Sequence, residues 1–360
     1  MRNLKAKRLE SLSYELPLEY FAREPYPALL ERIMRQSLEL RLVGVSAADV
    51  ETLSEVVEKR RAAAHVDEDV IISGVDGGSN GKSCEGIYVG VASALAYTSP
   101  LKILKDESPT SDGSVVLIDA EDGEQQWLSL FERHLTVRVA ASVVVNRRPD
   151  WLLLDGGLIL RPQYLRLLEG VEEVYDEGVS KYVRYEERLH SCLTGMLRLL
   201  ELCERRHTKI LGVVKRPTAR LLAAKANCKH RDSVLLDKFL DVGEFVVLDV
   251  GENPMLQRYE EVAGKNFEIR VAYIKTSKAK GPIRVEFPKS VEPEEAMSLI
   301  LADSDVVTGV PAHILRADSL VRIHKDTFKA VFSRLVWNNL HALEMLRPQR
   351  GEEFELEGRI

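Results

Sequence analysis

Cysteine is scarce: Cys84, Cys192, Cys203 and Cys228 are the four in 360 residues, and no two of them form a CxxC pair. This excludes a disulfide-stapled scaffold and offers no zinc spacing, so all four are expected as buried thiols in a reducing compartment, the cytoplasm. No apolar run approaches the ~20 residues that a membrane span needs. Arg2, Lys5, Lys7 and Arg8 are followed by no apolar block, so neither a secretory leader nor a membrane partner is expected. An excess of basic charge is also missing. The 50 Lys and Arg against 56 Asp and Glu give a net charge of −6, which excludes a protein that coats nucleic acid through global charge and leaves room for a local basic groove. Internal repeats, low-complexity linkers and HExxH histidine pairs are absent too. What is present, 45% hydrophobic and 29% charged residues, suffices for a large core in one domain or two.

Periodicity divides the chain. Residues 1–66 read as helical, with apolar positions at Leu29, Leu30, Ile33, Met34, Leu38 and Leu40, and again at Val50, Leu53, Val56 and Val57. This extension is either an arm for self-association or a helix pair packed on the core. From residue 67 to 346 the pattern becomes α/β. Strand-like runs are DVIISGVDGG (69–78), GIYVGVASALAY (86–97), SVVLIDA (114–120), PDWLLLDGG (149–157), KILGVVK (209–215), FVVLDV (245–250), FEIRVAYIKT (267–276) and PIRVEFP (282–288). The last two read as a hairpin turned by SKAKG. A long helix is expected over 124–147, with Trp127, Leu128, Phe131, Leu135, Val139 and Ser142 on one face. A helical insertion is expected at about 158–208, a helix after Pro217, and further helices over 293–303 and about 313–346. Residues 347–360 form an acidic tail.

Two of the apolar strands end in Asp-Gly-Gly, at Asp76 and Asp155. Strand ends of an α/β sheet are where ligands bind, and the glycines are read as acidic turns that let backbone or ligand approach. Carboxylates brought together from separate strands repel one another unless a cation lies between them, and hard ions such as Mn²⁺ or Mg²⁺ take oxygen ligands. Glu132 on the long helix and Asp318 on a late helix are candidates to join them, with Asp119 as a spare. Strand Asp, helix Glu, strand Asp and late helix Asp is the order of acids in an RNase H-like nuclease, where metal ions activate water against a phosphodiester. Residues 198–232 carry ten Lys and Arg against three acids. Lys215 ends a strand as the two aspartates do, positioned to stabilise charge on a phosphate. Arg216 and Arg220 are candidates to track phosphates, and His313 is placed in the same cleft.

GGSNGKS imitates a phosphate-binding P-loop, but the position that needs the first glycine is Asp76, and the residues that follow read as strand instead of helix. An ATPase of the actin and sugar-kinase type also uses Asp-Gly-Gly-Ser turns and stays as an alternative. The basic strand end at Lys215 and the lack of a Gly-rich adenosine-binding turn count against it.

Five segments in order resemble the NurA nucleases of archaea: VDGGS (75–79), LLLDGG with Leu158 (152–158), GVVKRPTARLL (212–222), RVEFP (284–288) and GVPAHILRADSLVRI (309–323). The resemblance spans about residues 70–325. It implies an RNase H-like mixed sheet flanked by helices and a Mn²⁺-dependent DNA nuclease, holding one or two ions and with Mg²⁺ as the alternative ion. It implies 5′ to 3′ degradation, internal cutting of single strands, and a homodimer docked on the hexameric HerA translocase in DNA-end resection with Mre11 and Rad50. Carried over by position, Asp76, Asp155, Asp318 and Glu132 are its metal ligands and Lys215 its strand-end lysine. Val310 stands where relatives have a tyrosine, and this departure keeps a non-catalytic DNA-end clamp as a further alternative.

Overall fold

Strands buried on both faces read as unbroken apolar runs, and Trp151–Asp155 (β5) and Lys209–Val214 (β8) are such runs, buried along most of their length. The computed structural model describes residues 44–339 except 64–65, 107, 119–122, 167–172, 177–180, 251–252 and 265–267. The elements around β5 and β8 follow in chain order. Before β5 come α1 (Ala47–Val56), β1 (Arg60–Arg61), β2 (Ile71–Ser83), β3 (Tyr88–Pro100), β4 (Thr110–Ile118) and α2 (Glu124–Asn146). Between β5 and β8 lie α3 (Gln163–Arg166), β6 (Glu173–Asp176), β7 (Lys181–Arg184) and α4 (Tyr185–Arg206). Then come α5 (Leu221–Lys225), α6 (Asp232–Phe239), β9 (Glu244–Asp249), α7 (Pro254–Ala263), β10 (Ile269–Ile274) and β11 (Ile283–Pro288). The last described elements are α8 (Pro293–Asp303), α9 (Ala312–Val321) and α10 (Lys325–Asn338).

The described strands join one mixed sheet in the order β1-β9-β10-β11-β8-β5-β2-β3-β4-β6-β7. β5 is parallel to β2 and to β8, and the other pairings are antiparallel. Side chains alternate across the sheet as the pleat requires. Leu152 and Leu154 enter the core under α2, α4 and α7, whereas Trp151 and Leu153 enter the core that α8 and α9 close on the opposite face. The α/β fold with helices on both faces is the one expected. Among the described residues no helix is long and apolar enough to cross a membrane. All four cysteines are buried free thiols.

Several expectations are corrected. Residues 1–43 lie outside the described residues, and of the expected helical extension only α1 is seen, followed by the short edge strand β1. The insertion at 158–208 is not helical throughout: β6 and β7 form a hairpin that extends the sheet beyond β4, and α4 begins only at Tyr185. The helices expected over about 313–346 are α9 and α10, separated at Arg322–His324, and residues 340–346 lie outside the described residues. Asp76 does not sit in a turn. β2 continues through Gly77 and Gly78 to Ser83, paired residue for residue with β3, so the P-loop-like GGSNGKS is extended strand.

The glycines have another cause, which is close approach by helices. A Cβ on Gly74 would lie 2.3 Å from the His313 backbone carbon, and one on Gly78 would lie 2.7 Å from the Val321 carbonyl oxygen. α9 is therefore seated on β2 at both its ends, and Asp318 lies between these contacts. Gly74→Ala is expected to cost about 1–3 kcal/mol or more, because the clash is with backbone and not with a flexible side chain. A urea titration reads this as a lowered midpoint; an unchanged midpoint contradicts this seating of α9.

Candidate active site

The parallel strands end at staggered positions, and polar side chains take over where the apolar runs stop. Val75 is the last residue of β2 paired with β5, through Leu154. Asp76 and Asp155 are thus the next residues on adjacent strands. Asp155 is level with Val213 of β8, and Lys215 follows two residues later. Its ammonium Nζ lies 2.8 Å from Asp155 Oδ2, 3.7 Å from Asp76 Oδ2 and 3.8 Å from Asp318 Oδ1. Four residues from four elements, expected from the sequence to share a site, are brought together around one positive charge.

Glu132 joins from α2. Its carboxylate packs on Gly77, where a Cβ would lie 2.7 Å from Glu132 Cγ, and Ser79 Oγ donates to Glu132 Oε2 at 2.5 Å. Arg322, one turn after Asp318, donates to Asp318 Oδ2 at 2.5 Å. Asp76 Oδ1 accepts the Gly77 N–H at 2.7 Å, whereas Asp76 Oδ2 is buried and accepts no hydrogen bond.

The electrostatics follow from this crowding. Burial, and then the neighbouring Asp155 carboxylate, push the Asp76 carboxyl up to about 9. The more distant Lys215 opposes the shift without cancelling it. Burial also raises Glu132, against the Ser79 hydrogen bond that favours its charged form. For Lys215 burial works against the charge, but Asp155, Asp76 and Asp318 outweigh it and raise its pKa. For Asp318 burial raises, yet Arg322 and Lys215 together hold its carboxyl below the usual range.

Two residues that the sequence did not single out fix the Asp155 turn. Arg133, the neighbour of Glu132 on α2, donates to the backbone carbonyls of Asp155 and Gly157. Glu286 of β11, almost wholly buried, accepts the Ile159 N–H at 2.9 Å and pairs with Arg284. A charge on a long helix reads as solvated, so Arg133 gave no signal. Glu286 did give one, as an acid inside the apolar run RVEFP.

The remaining predicted residues are placed differently. Arg216 is exposed beside Lys215, and Arg220 is exposed but turns one guanidinium nitrogen to the Cys228 carbonyl at 2.8 Å. His313 does not line the cleft. Its side chain is fully buried, with Nδ1 2.7 Å from Asp303 Oδ1 and Nε2 2.9 Å from Ser99 Oγ, so it anchors the start of α9 and cannot reach a ligand. The reason is Gly74, which draws that turn of the helix onto the sheet. Asp119 lies outside the described residues. Val310, in the position of the expected tyrosine, is a buried member of the core under α8.

Among the described residues no three acidic, histidine or cysteine side chains are already gathered as a closed ligand set; the carboxylates are arranged around Lys215 instead. The donors nevertheless fit a hard divalent cation. All are carboxylate oxygens, and Asp76 Oδ2, buried and accepting no hydrogen bond, is an oxygen that such an ion would satisfy.

The model of the NurA domain family matches residues 70–323. No curated protein matches the sequence. Among solved structures, the NurA nuclease from Sulfolobus solfataricus is 18% identical, with a TM-score of 0.60 over 91% of this chain and 98% of that one. A NurA structure with manganese is 13% identical, with a TM-score of 0.55 over 86% of this chain and 98% of that one. A NurA structure bound to dAMP and manganese is 12% identical, with a TM-score of 0.51 over 87% of this chain and 95% of that one.

Because Asp76 keeps its proton until about pH 9, a divalent ion bound there must displace that proton. Mn²⁺ affinity measured by calorimetry is expected to rise up to about tenfold per pH unit from pH ~6 to ~8, with roughly one proton released per ion. The folded pKa of Asp76 also lies above the unfolded value of about 3.9, so metal-free stability falls as pH rises between the two. Asp76→Asn is accordingly expected to raise the metal-free Tm at pH ~8 by ~2 °C or more. An affinity independent of pH, or a lowered Tm in the variant, contradicts the assignment.

Proposed function

The chain belongs to the NurA family, and from that membership we propose that it is a divalent-metal-dependent DNA nuclease. The observation that carries this reading is the convergence of Asp76, Asp155 and Asp318 on Lys215, with Glu132 alongside. With Asp155 and Asp318 already sharing the Lys215 ammonium and Arg322 already held by Asp318, the cluster has no surplus positive charge to offer a phosphodiester, so a substrate phosphate needs further positive charge in order to bind.

Asp76, Asp155 and Asp318, with Glu132, are the residues that would hold the ion or ion pair. When bound, such an ion supplies Lewis acidity at the phosphate and lowers the pKa of a bound water. The chain's own residues do the rest. Lys215 sits at the strand end with its ammonium among the carboxylates, placed to face a phosphate oxygen as negative charge develops there. Arg133 and Glu286 fix the backbone of the Asp155 turn, so that carboxylate does not have to reorganise during reaction. Ser79 holds Glu132 in one orientation, and Arg322 does the same for Asp318. Arg216, exposed one residue beyond Lys215, takes a neighbouring phosphate.

The manganese named with two of the similar structures makes Mn²⁺ the first ion to test, with Mg²⁺ second. Family membership also supports 5′ to 3′ degradation, internal cutting of single strands, and a homodimer that works with the HerA translocase and with Mre11 and Rad50 in DNA-end resection.

The test is cleavage of an end-labelled single-stranded oligonucleotide with Mn²⁺, Mg²⁺ or EDTA. Wild type is expected to cut with Mn²⁺ and not with EDTA. Asp76→Asn is expected to lose on the order of 10²–10³-fold or more in rate. Cutting that survives EDTA, or an Asp76→Asn rate equal to wild type, overturns the reading. Co-elution with HerA tests the partnership separately.

A further inference from the structure

The segment that follows Lys215 is unusual in this acidic protein. From Arg216 to Arg231 it contains Arg216, Arg220, Lys225, Lys229 and Arg231 and not one acid. All five cations are exposed, and none of them forms an ion pair with a described residue. Some exposed cations elsewhere are paired, such as Lys102 with Glu68, Arg258 with Glu261 and Lys289 with Glu268; what sets this segment apart is five exposed cations within sixteen residues and no acid among them. Exposed charge of one sign, left without partners, is the footprint of a polyanion.

The segment is also built as a fixed platform. The acid that ends it, Asp232, is wholly buried. Its carboxylate accepts the N–H groups of Leu221, Leu222 and Ala223 at 2.7–3.0 Å and the Tyr273 hydroxyl at 3.0 Å. Arg220 closes the loop onto the Cys228 carbonyl, and Asn227 turns the chain with a φ of 50°. Asp49 of α1 touches the segment at the Cys228 thiol, 3.5 Å away, and not at a cation. The register fixes where the platform lies. Tyr273 is opposite Arg284, and Arg284 is opposite Val214. The chain therefore leaves β8 at Lys215 and is tied back at Tyr273, crossing the ends of β11 and β10.

We propose that residues 216–231 form a phosphate-tracking ledge that holds the sugar–phosphate backbone of a DNA strand as it leads away from the Lys215 site, with Lys225, Lys229 and Arg231 as its outer contacts. The proposal rests on the nuclease reading and deepens it by naming the surface that carries the substrate. It gives these three exposed residues a ligand in place of bulk solvent alone. Their lack of acidic partners leaves them free for phosphate.

The test is fluorescence anisotropy of a labelled single-stranded oligothymidylate, read in EDTA across a salt titration. Lys225→Gln, Lys229→Gln and Arg231→Gln together form the ledge variant. Lys102→Gln, Arg258→Gln and Lys289→Gln remove the same charge elsewhere. On a single strand each phosphate contact contributes about 0.7 to the slope of log affinity against log salt. The ledge variant is expected to lose about 2 from that slope and at least tenfold in affinity at ~0.1 M salt, while the control variant matches wild type. Thermal melting checks that both remain folded. A ledge variant that binds like wild type or like the control overturns the proposal, as does a wild type that does not bind the oligonucleotide. Metal-dependent cleavage by wild type separates the two readings: cleavage with an unaffected ledge variant leaves the nuclease without this ledge, and a ledge effect without cleavage leaves a DNA-binding surface without the nuclease.

Discussion

Like charge is crowded at the ends of the parallel strands, and the rest of the structure is arranged around that crowding. Asp76, Asp155 and Asp318 all lie within 3.8 Å of the Lys215 ammonium. Carboxylates gathered around one ammonium also face one another, and like charges ~4–7 Å apart cost roughly 2–4 kcal/mol per pair in a partly buried setting; one ammonium cannot neutralise three carboxylates. The molecule responds by keeping a proton on Asp76, by fixing Asp318 with Arg322, and by setting Glu132 against Ser79. Each of these responses is also what a divalent ion would exploit. It would take the proton's place and find the remaining oxygens already oriented.

The fold supports this through three devices. The parallel trio of β2, β5 and β8 places Asp76, Asp155 and Lys215 at one end of the sheet. β2 outlasts its parallel partner, so Asp76 is held by an unbroken antiparallel ladder to β3 and not by a loop. The glycines of β2 admit α2 on one face and α9 on the other, which brings Glu132 and Asp318 onto the same strand from opposite sides. The buried Asp303–His313–Ser99 chain then secures the start of α9, five residues before Asp318.

Much of this was legible in the sequence. Asp76, Asp155 and Lys215 stood out because each interrupts an apolar run at its end, where polar side chains take over. The order of acids pointed to Asp318, which lies 3.8 Å from the Lys215 ammonium, and to Glu132, which comes to Gly77 and Ser79 from the other face of β2. What failed did so for identifiable reasons. Gly77 and Gly78 looked like turn formers, since close packing by a helix leaves no local mark distinct from a turn. His313 looked like a cleft residue because helical spacing says nothing about which turn is pressed onto a sheet. The β6–β7 hairpin lay in a charged stretch with helical i,i+4 pairs, and its short edge strands carry no strong alternation. Arg133 donates its hydrogen bonds to backbone carbonyls, and a sequence does not show where a carbonyl will point.

The central claim is that the carboxylates around Lys215 are a divalent-ion site. The most direct measurement is anomalous diffraction at the manganese edge from crystals grown with Mn²⁺. The account predicts an anomalous peak within bonding distance of the Asp76 and Asp155 carboxylates, and its loss in Asp76→Asn. A map with no peak at this cluster, or with manganese held by other residues, contradicts it.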